Sequence, residues 1–273
     1  MSVSYDFGGQ AVIVTGASRG VGRVMVERFA AAGAAVVAAD RDEAGLAETV
    51  ARLAGERVAA VVADVSEEAG ARAIVDAALS RFGRLDVCVN DAAVAPHAAL
   101  LDERAEVWDR VFAVNCRGTF LMTQAAARAM IDAGRGGRIV NFSSGVTTKG
   151  SPGAAAYAAS RAATEAFSRV AAIELAPHGI LVNTVSPGLI DTQPKPLPPH
   201  MATSLAERIP GLPLARPGRP EEVADLVLFL ASAASGYITG AVIAIDGGSG
   251  IGSRPRGPVV DDDPRYDWVT GRG

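Results

Sequence analysis

Short runs of aliphatic residues recur along the chain, separated by longer stretches whose apolar positions follow helical spacing. Residues 11–15, 35–39, 58–63, 85–89, 137–142, 180–185 and 241–245 read as strands buried on both faces, because polar positions scarcely interrupt them. Helical patterns begin near Gly20, Asp42, Ser66, Ala105, Ala155 and Pro220. Ser66 is followed by Glu67 and Glu68, and Pro220 by Glu221 and Glu222. Both suit a helix start, where acidic groups meet the positive end of the dipole. Buried parallel strands joined by helical crossovers predict a Rossmann-type α/β fold with a doubly wound, seven-stranded parallel sheet. Neither an internal repeat nor a linker divides the chain, so residues 1–250 are expected to form one domain.

Two stretches depart from this rhythm. Residues 191–218 carry seven prolines, Pro194, Pro196, Pro198, Pro199, Pro210, Pro213 and Pro217, and read as a substrate lid. Residues 251–273 contain Arg254, Arg256, Asp261–Asp263, Tyr266 and Trp268, and read as a tail that is flexible or docks on a neighbouring subunit.

Composition narrows the function. With 49% hydrophobic and 21% charged residues the chain can build a large core and is not a disordered sequence. A net charge of −4 offers no basic footprint for nucleic acid or an anionic membrane. Residues 1–10 lack the apolar stretch of a signal peptide, and no apolar run nears the ~20 residues that span a bilayer. Cys88 and Cys116 suit free thiols in a soluble cytoplasmic protein. His97, His178 and His200 do not have metal-ligand spacing, so no metal is expected.

The candidate chemistry begins where the first strand meets the first helix, at Thr15-Gly16-Ala17-Ser18-Arg19-Gly20-Val21-Gly22. Glycines there permit a tight turn and let backbone approach a pyrophosphate at the helix end. The next strand leads to Asp40, about twenty residues on, where a ribose-binding acid belongs. A carboxylate accepts from free ribose hydroxyls and repels a 2′-phosphate, which favours NAD over NADP; Arg19 and Arg41 could instead meet a phosphate. Asp64 and Val65, at the end of the third strand, are placed to touch the adenine.

These residues, with Asn90, Asn115, Ser144, Tyr157 and Ser186-Pro187-Gly188, occur in the order and spacing of the short-chain dehydrogenase/reductase family, which the chain resembles over residues 7–249. Arg219-Pro220-Glu221-Glu222 and Ile245-Asp246-Gly247-Gly248 extend the likeness. The resemblance implies that Tyr157 is a general acid/base and that Ser144, rather than Ser143, holds the substrate oxygen. It implies that Asn115 fixes a water or backbone group in a proton relay. Asn90, Ala92, Pro187, Gly188, Ile190 and Thr192 would complete the cofactor site, together with Tyr157 and Arg161. It also implies an alcohol or ketone substrate and a homodimer or homotetramer built through helices in 105–133 and 155–176.

Two positions depart from the family pattern. Arg161 stands four residues after Tyr157, where the family has lysine; it keeps the charge but is a poor proton shuttle. Asn90-Asp91-Ala92-Ala93 replaces the usual Asn-Asn-Ala-Gly, adding a carboxylate and a methyl group. The expectation is an NAD(P)-dependent oxidoreductase of secondary alcohols and ketones. The alternatives are a cofactor-binding relative with lost or altered redox activity, and a non-redox lyase or isomerase.

Overall fold

The computed structural model describes residues 5–53, 57–192 and 206–253. The expected tail beyond residue 253, His200, and residues 193–205 of the expected lid lie outside these. Strands β1 (Ala11–Thr15), β2 (Ala35–Asp40), β3 (Val58–Val62), β4 (Val87–Asn90), β5 (Gly137–Phe142), β6 (Ile180–Pro187) and β7 (Val242–Ile245) form one sheet in the order β3-β2-β1-β4-β5-β6-β7. Every pairing is parallel, as the continuous apolar runs predict.

Side chains that alternate along the central strands feed two cores; the edge strands β3 and β7, expected to be buried on both faces, are covered only in part, with Val62 of β3 exposed, because each has a neighbouring strand on one side alone. Val12 and Val14 face one side with Phe29 of α1 (Gly20–Ala31) and Leu230 of α7 (Pro220–Ala231). Ile13 faces the other, with Ile74 of α3 (Glu68–Phe82) and Met122 of α5 (Thr119–Ala133). Period-two alternation thus covers both faces of a single α/β domain. Two further helices are α2 (Glu43–Ala51), whose Asp42 cap accepts from the Gly45 amide at 3.1 Å, and α6 (Ala155–Leu175).

The helix expected near Ser66 begins at Glu68, with Glu67 as its cap, while the Ser66 hydroxyl donates to Asp64 Oδ1 at 2.7 Å. One helical expectation needs correction. The stretch 105–133 is not one helix: α4 (Ala105–Phe112) and α5 are separated by a π-helical turn, Ala113–Gly118. There the Asn115 carbonyl accepts hydroxyl bonds from Thr119 at 2.7 Å and Thr164 at 3.3 Å, which widens the ladder.

Candidate functional site

The carboxyl ends of the strands open into a cleft of about 1310 Å³, at the crevice where strand order reverses between β1 and β4. Its first wall is the turn between β1 and α1. Gly16 has φ +72°, and a Cβ there would stand 2.9 Å from the Ala92 amide, so the two loops touch through backbone. A Cβ on Gly22 would overlap the Gly16 carbonyl. The first amide of α1 bonded to a backbone carbonyl is that of Arg23, on Arg19 O at 3.2 Å. The preceding amides of α1, Gly20 and Val21 among them, have no such helical acceptor and line the cleft with Ser18 and Arg19. A close-packed glycine cradle with free helix-end amides fits a dinucleotide pyrophosphate.

Asp40 ends β2 on the same wall, beside Arg41. Its Oδ2 accepts from the Ser18 amide at 3.1 Å and its Oδ1 from the Asp42 amide at 3.0 Å. Each oxygen keeps a further lone pair for a ligand hydroxyl. Asp64 and Val65 also line the cleft. Burial raises the Asp64 pKa, but bonds from Arg110 at 2.7 Å, Ser66 Oγ at 2.7 Å and the Ser66 amide at 2.9 Å outweigh it and bring it down to about 2.

That shift predicts an acid-dependent contribution to stability. A carboxyl held at about 2, below its ordinary 3.8, stabilises the fold above that ordinary value and loses its contribution as pH falls toward 2. Arg110→Ala should therefore lower stability by about 0.5–1 kcal/mol at pH 7, a modest amount because the pair is partly exposed. In urea unfolding the gap from wild type should close between pH 4 and pH 2; a gap that stays constant would show that Arg110 acts through packing instead.

The second wall carries the remaining chemistry. Tyr157 and Arg161 lie one turn apart near the start of α6 and face the cleft together. The Arg161 guanidinium carbon is 5.3 Å from the Tyr157 ring centroid. Arg161 is 3% exposed; its NH1 group donates to Phe142 O at 2.7 Å, and its Nε has no partner. Ser144 follows β5, and among the described residues its hydroxyl receives only a long 3.5 Å bond from the Val146 amide. Its neighbour Ser143 donates to Glu165 Oε1 at 2.6 Å, so of the two hydroxyls Ser144 is the freer for a ligand. Ala92, Pro187, Gly188 and Thr192 border the same space.

Four candidate residues do not line the cleft. The Asn90 amide donates to Asn141 Oδ1 at 2.8 Å and to Thr123 Oγ1 at 3.3 Å inside the protein. Asn115 is fully buried: it accepts from the Val94 amide at 2.9 Å and donates to Val94 O at 2.9 Å and Ser160 Oγ at 3.1 Å. It thereby ties the segment after β4 to α6. Gly22 packs beneath the turn, and Ile190 packs against the core.

Sequence reading missed Glu165, which also accepts from Thr147 Oγ1 at 2.8 Å and so ties the turn after Ser144 to α6. Its signal is an acid four residues after Arg161 on one helical face. Asn141, a lone amide in an apolar strand, likewise signals a buried network; it donates to Ser168 Oγ at 2.9 Å. Burial pushes the Cys88 thiol up to about 12. Among the described residues, no helix is long and apolar enough to cross a membrane and no group of His, Cys, Asp and Glu could hold a metal.

Comparison with known proteins places this architecture. Residues 16–250 match the family model described as enoyl-(acyl carrier protein) reductase. The chain is 42% identical over 248 residues to a (3R)-3-hydroxyacyl-CoA dehydrogenase of Mus musculus, covering 86% of this chain and 94% of that one. It is 40% identical over 242 residues to a 3-oxoacyl-(acyl-carrier-protein) reductase of Thermotoga maritima, covering 88% and 97%. A short-chain type dehydrogenase/reductase from Mycobacterium marinum superposes with a TM-score of 0.84 at 38% identity, covering 89% of this chain and 96% of that one. Levodione reductase also reaches 0.84, at 32% identity, covering 90% and 99%.

Proposed function

The chain belongs to the short-chain dehydrogenase/reductase family, and on that premise we propose that it interconverts a secondary alcohol and a ketone with NAD as its redox cofactor. The observation that carries this reading is one cleft that joins the glycine cradle and Asp40 to Ser144 and Tyr157. A nicotinamide dinucleotide bound there supplies or accepts the hydride. Ser144 donates to the substrate oxygen and orients it. Tyr157 Oη gives its proton to that oxygen as a ketone is reduced, and takes it back in the reverse direction. Arg161 stands beside the tyrosine ring and supplies positive charge next to the reacting oxygen. Asn115 holds the segment after β4 against α6, which keeps Tyr157 in register.

Exposed Phe120, Val170 and Ile173 on α5 and α6 support assembly of two or four copies through these helices. The two free cysteines support a reducing compartment.

The test is a fluorescence titration with NADH and NADPH, followed by an alcohol and ketone screen read by nicotinamide absorbance. NADH should saturate the protein, with NADPH weaker. Asp40→Asn keeps an acceptor for the Ser18 amide but removes the charge, and should improve NADPH relative to NADH by about tenfold. An unchanged ratio would sink the assignment of Asp40. A second reading, a cofactor-binding protein without redox activity, rests on Arg161, whose NH1 is occupied by Phe142 O. Turnover of any alcohol or ketone excludes it.

A further inference from the structure

Asp91 takes no part in the mechanism above, yet it lies in the cleft wall against the glycine cradle. Its Oδ2 is 3.1 Å from the position a Cβ on Gly22 would occupy, at the N-terminal turn of α1. A carboxylate already stands where the helix end offers its positive potential. The groups that bear on it are Arg161 from α6, Asp40 from the end of β2 and the Gly22 amide from α1.

We propose that Asp91 makes binding of the dinucleotide proton-linked: the carboxyl must be neutral for the pyrophosphate to occupy the turn, so the cofactor enters with uptake of a proton. The inference rests on the cofactor assignment above. Two anions at one helix end repel each other, and protonating the part-buried Asp91 removes one of them. The free protein can supply this form near neutral pH. Burial pushes Asp91 up to about 7, with Asp40 adding to the rise and Arg161 and the Gly22 amide opposing it. Below that value the carboxyl is already neutral and affinity is level. Above it each binding event must first protonate Asp91, so affinity falls as pH rises.

NADH is the probe, because its pyrophosphate charge is constant across this range. Its dissociation constant should weaken about tenfold from pH 6 to pH 8. Calorimetry at pH 7.5 in buffers of different ionisation enthalpy should report uptake of roughly 0.8 proton per NADH bound. Asp91→Asn, which keeps size and removes the titrating group, should abolish both the slope and the uptake. Intact NADH binding with a flat wild-type profile, or an equal slope in Asp91→Asn, would overturn the inference and leave the proposed function standing. Failure of wild type and variant to bind NADH or NADPH at any pH would instead overturn the cofactor assignment and this inference with it.

Discussion

Replacing Tyr157 with phenylalanine will lower turnover by roughly 10²–10⁴-fold while weakening NADH binding by less than about fivefold. The argument is geometric. Phenylalanine keeps the ring that packs beside the Arg161 guanidinium at 5.3 Å, so the α6 face and the cleft wall are preserved. Only the hydroxyl is lost, and with it the group that holds the proton for the substrate oxygen. Ser144 remains to orient that oxygen but has no route to replace the proton. Steady-state rates and a parallel NADH titration separate the effects. Retained turnover would remove Tyr157 from the chemistry. A loss of NADH affinity as large as the loss of rate would make it a binding residue.

What could be read from the sequence is what local spacing encodes. β1, α1 and β2 were legible because an apolar run, a glycine-rich turn and Asp40 follow within about thirty residues, and each imposes its own backbone geometry. The parallel sheet was legible because its strands are apolar on both faces. Partnerships across the fold were not. Asp64 is a strand-end acid in the sequence, and only the fold brings Arg110 to it, 46 residues on. Asn90 looks like a cofactor residue by position, but Asn141 and Thr123 meet its amide inside the protein. The π-turn around Asn115 was hidden because an inserted residue scarcely alters the apolar pattern of α4 and α5. Asp91 was visible as a departure, but its meaning required seeing Gly22 and Arg161 around it.

Arg161→Met should cost about 10²–10³-fold in turnover and little in stability. Removing a buried cation touches the fold in two opposing ways, and these nearly cancel here. Methionine leaves Phe142 O without its donor, at a cost of about 1–3 kcal/mol. It also removes a buried guanidinium whose Nε has no partner, a relief of similar size. The midpoint of urea unfolding should therefore move by less than about 1 kcal/mol equivalent. Catalysis has no such offset, because the positive charge beside Tyr157 is gone and methionine cannot replace it. Asp91 supplies a further readout: Arg161, with the Gly22 amide, draws its carboxyl downward, so in Arg161→Met the pH above which NADH binding weakens should move up. Arg161→Lys retains the charge and should recover most of the rate if charge is what the site uses. A methionine variant with wild-type turnover would make Arg161 a packing residue. A methionine variant that unfolds early would show the Phe142 bond outweighing the relief, and the lysine variant would then carry the test of the charge.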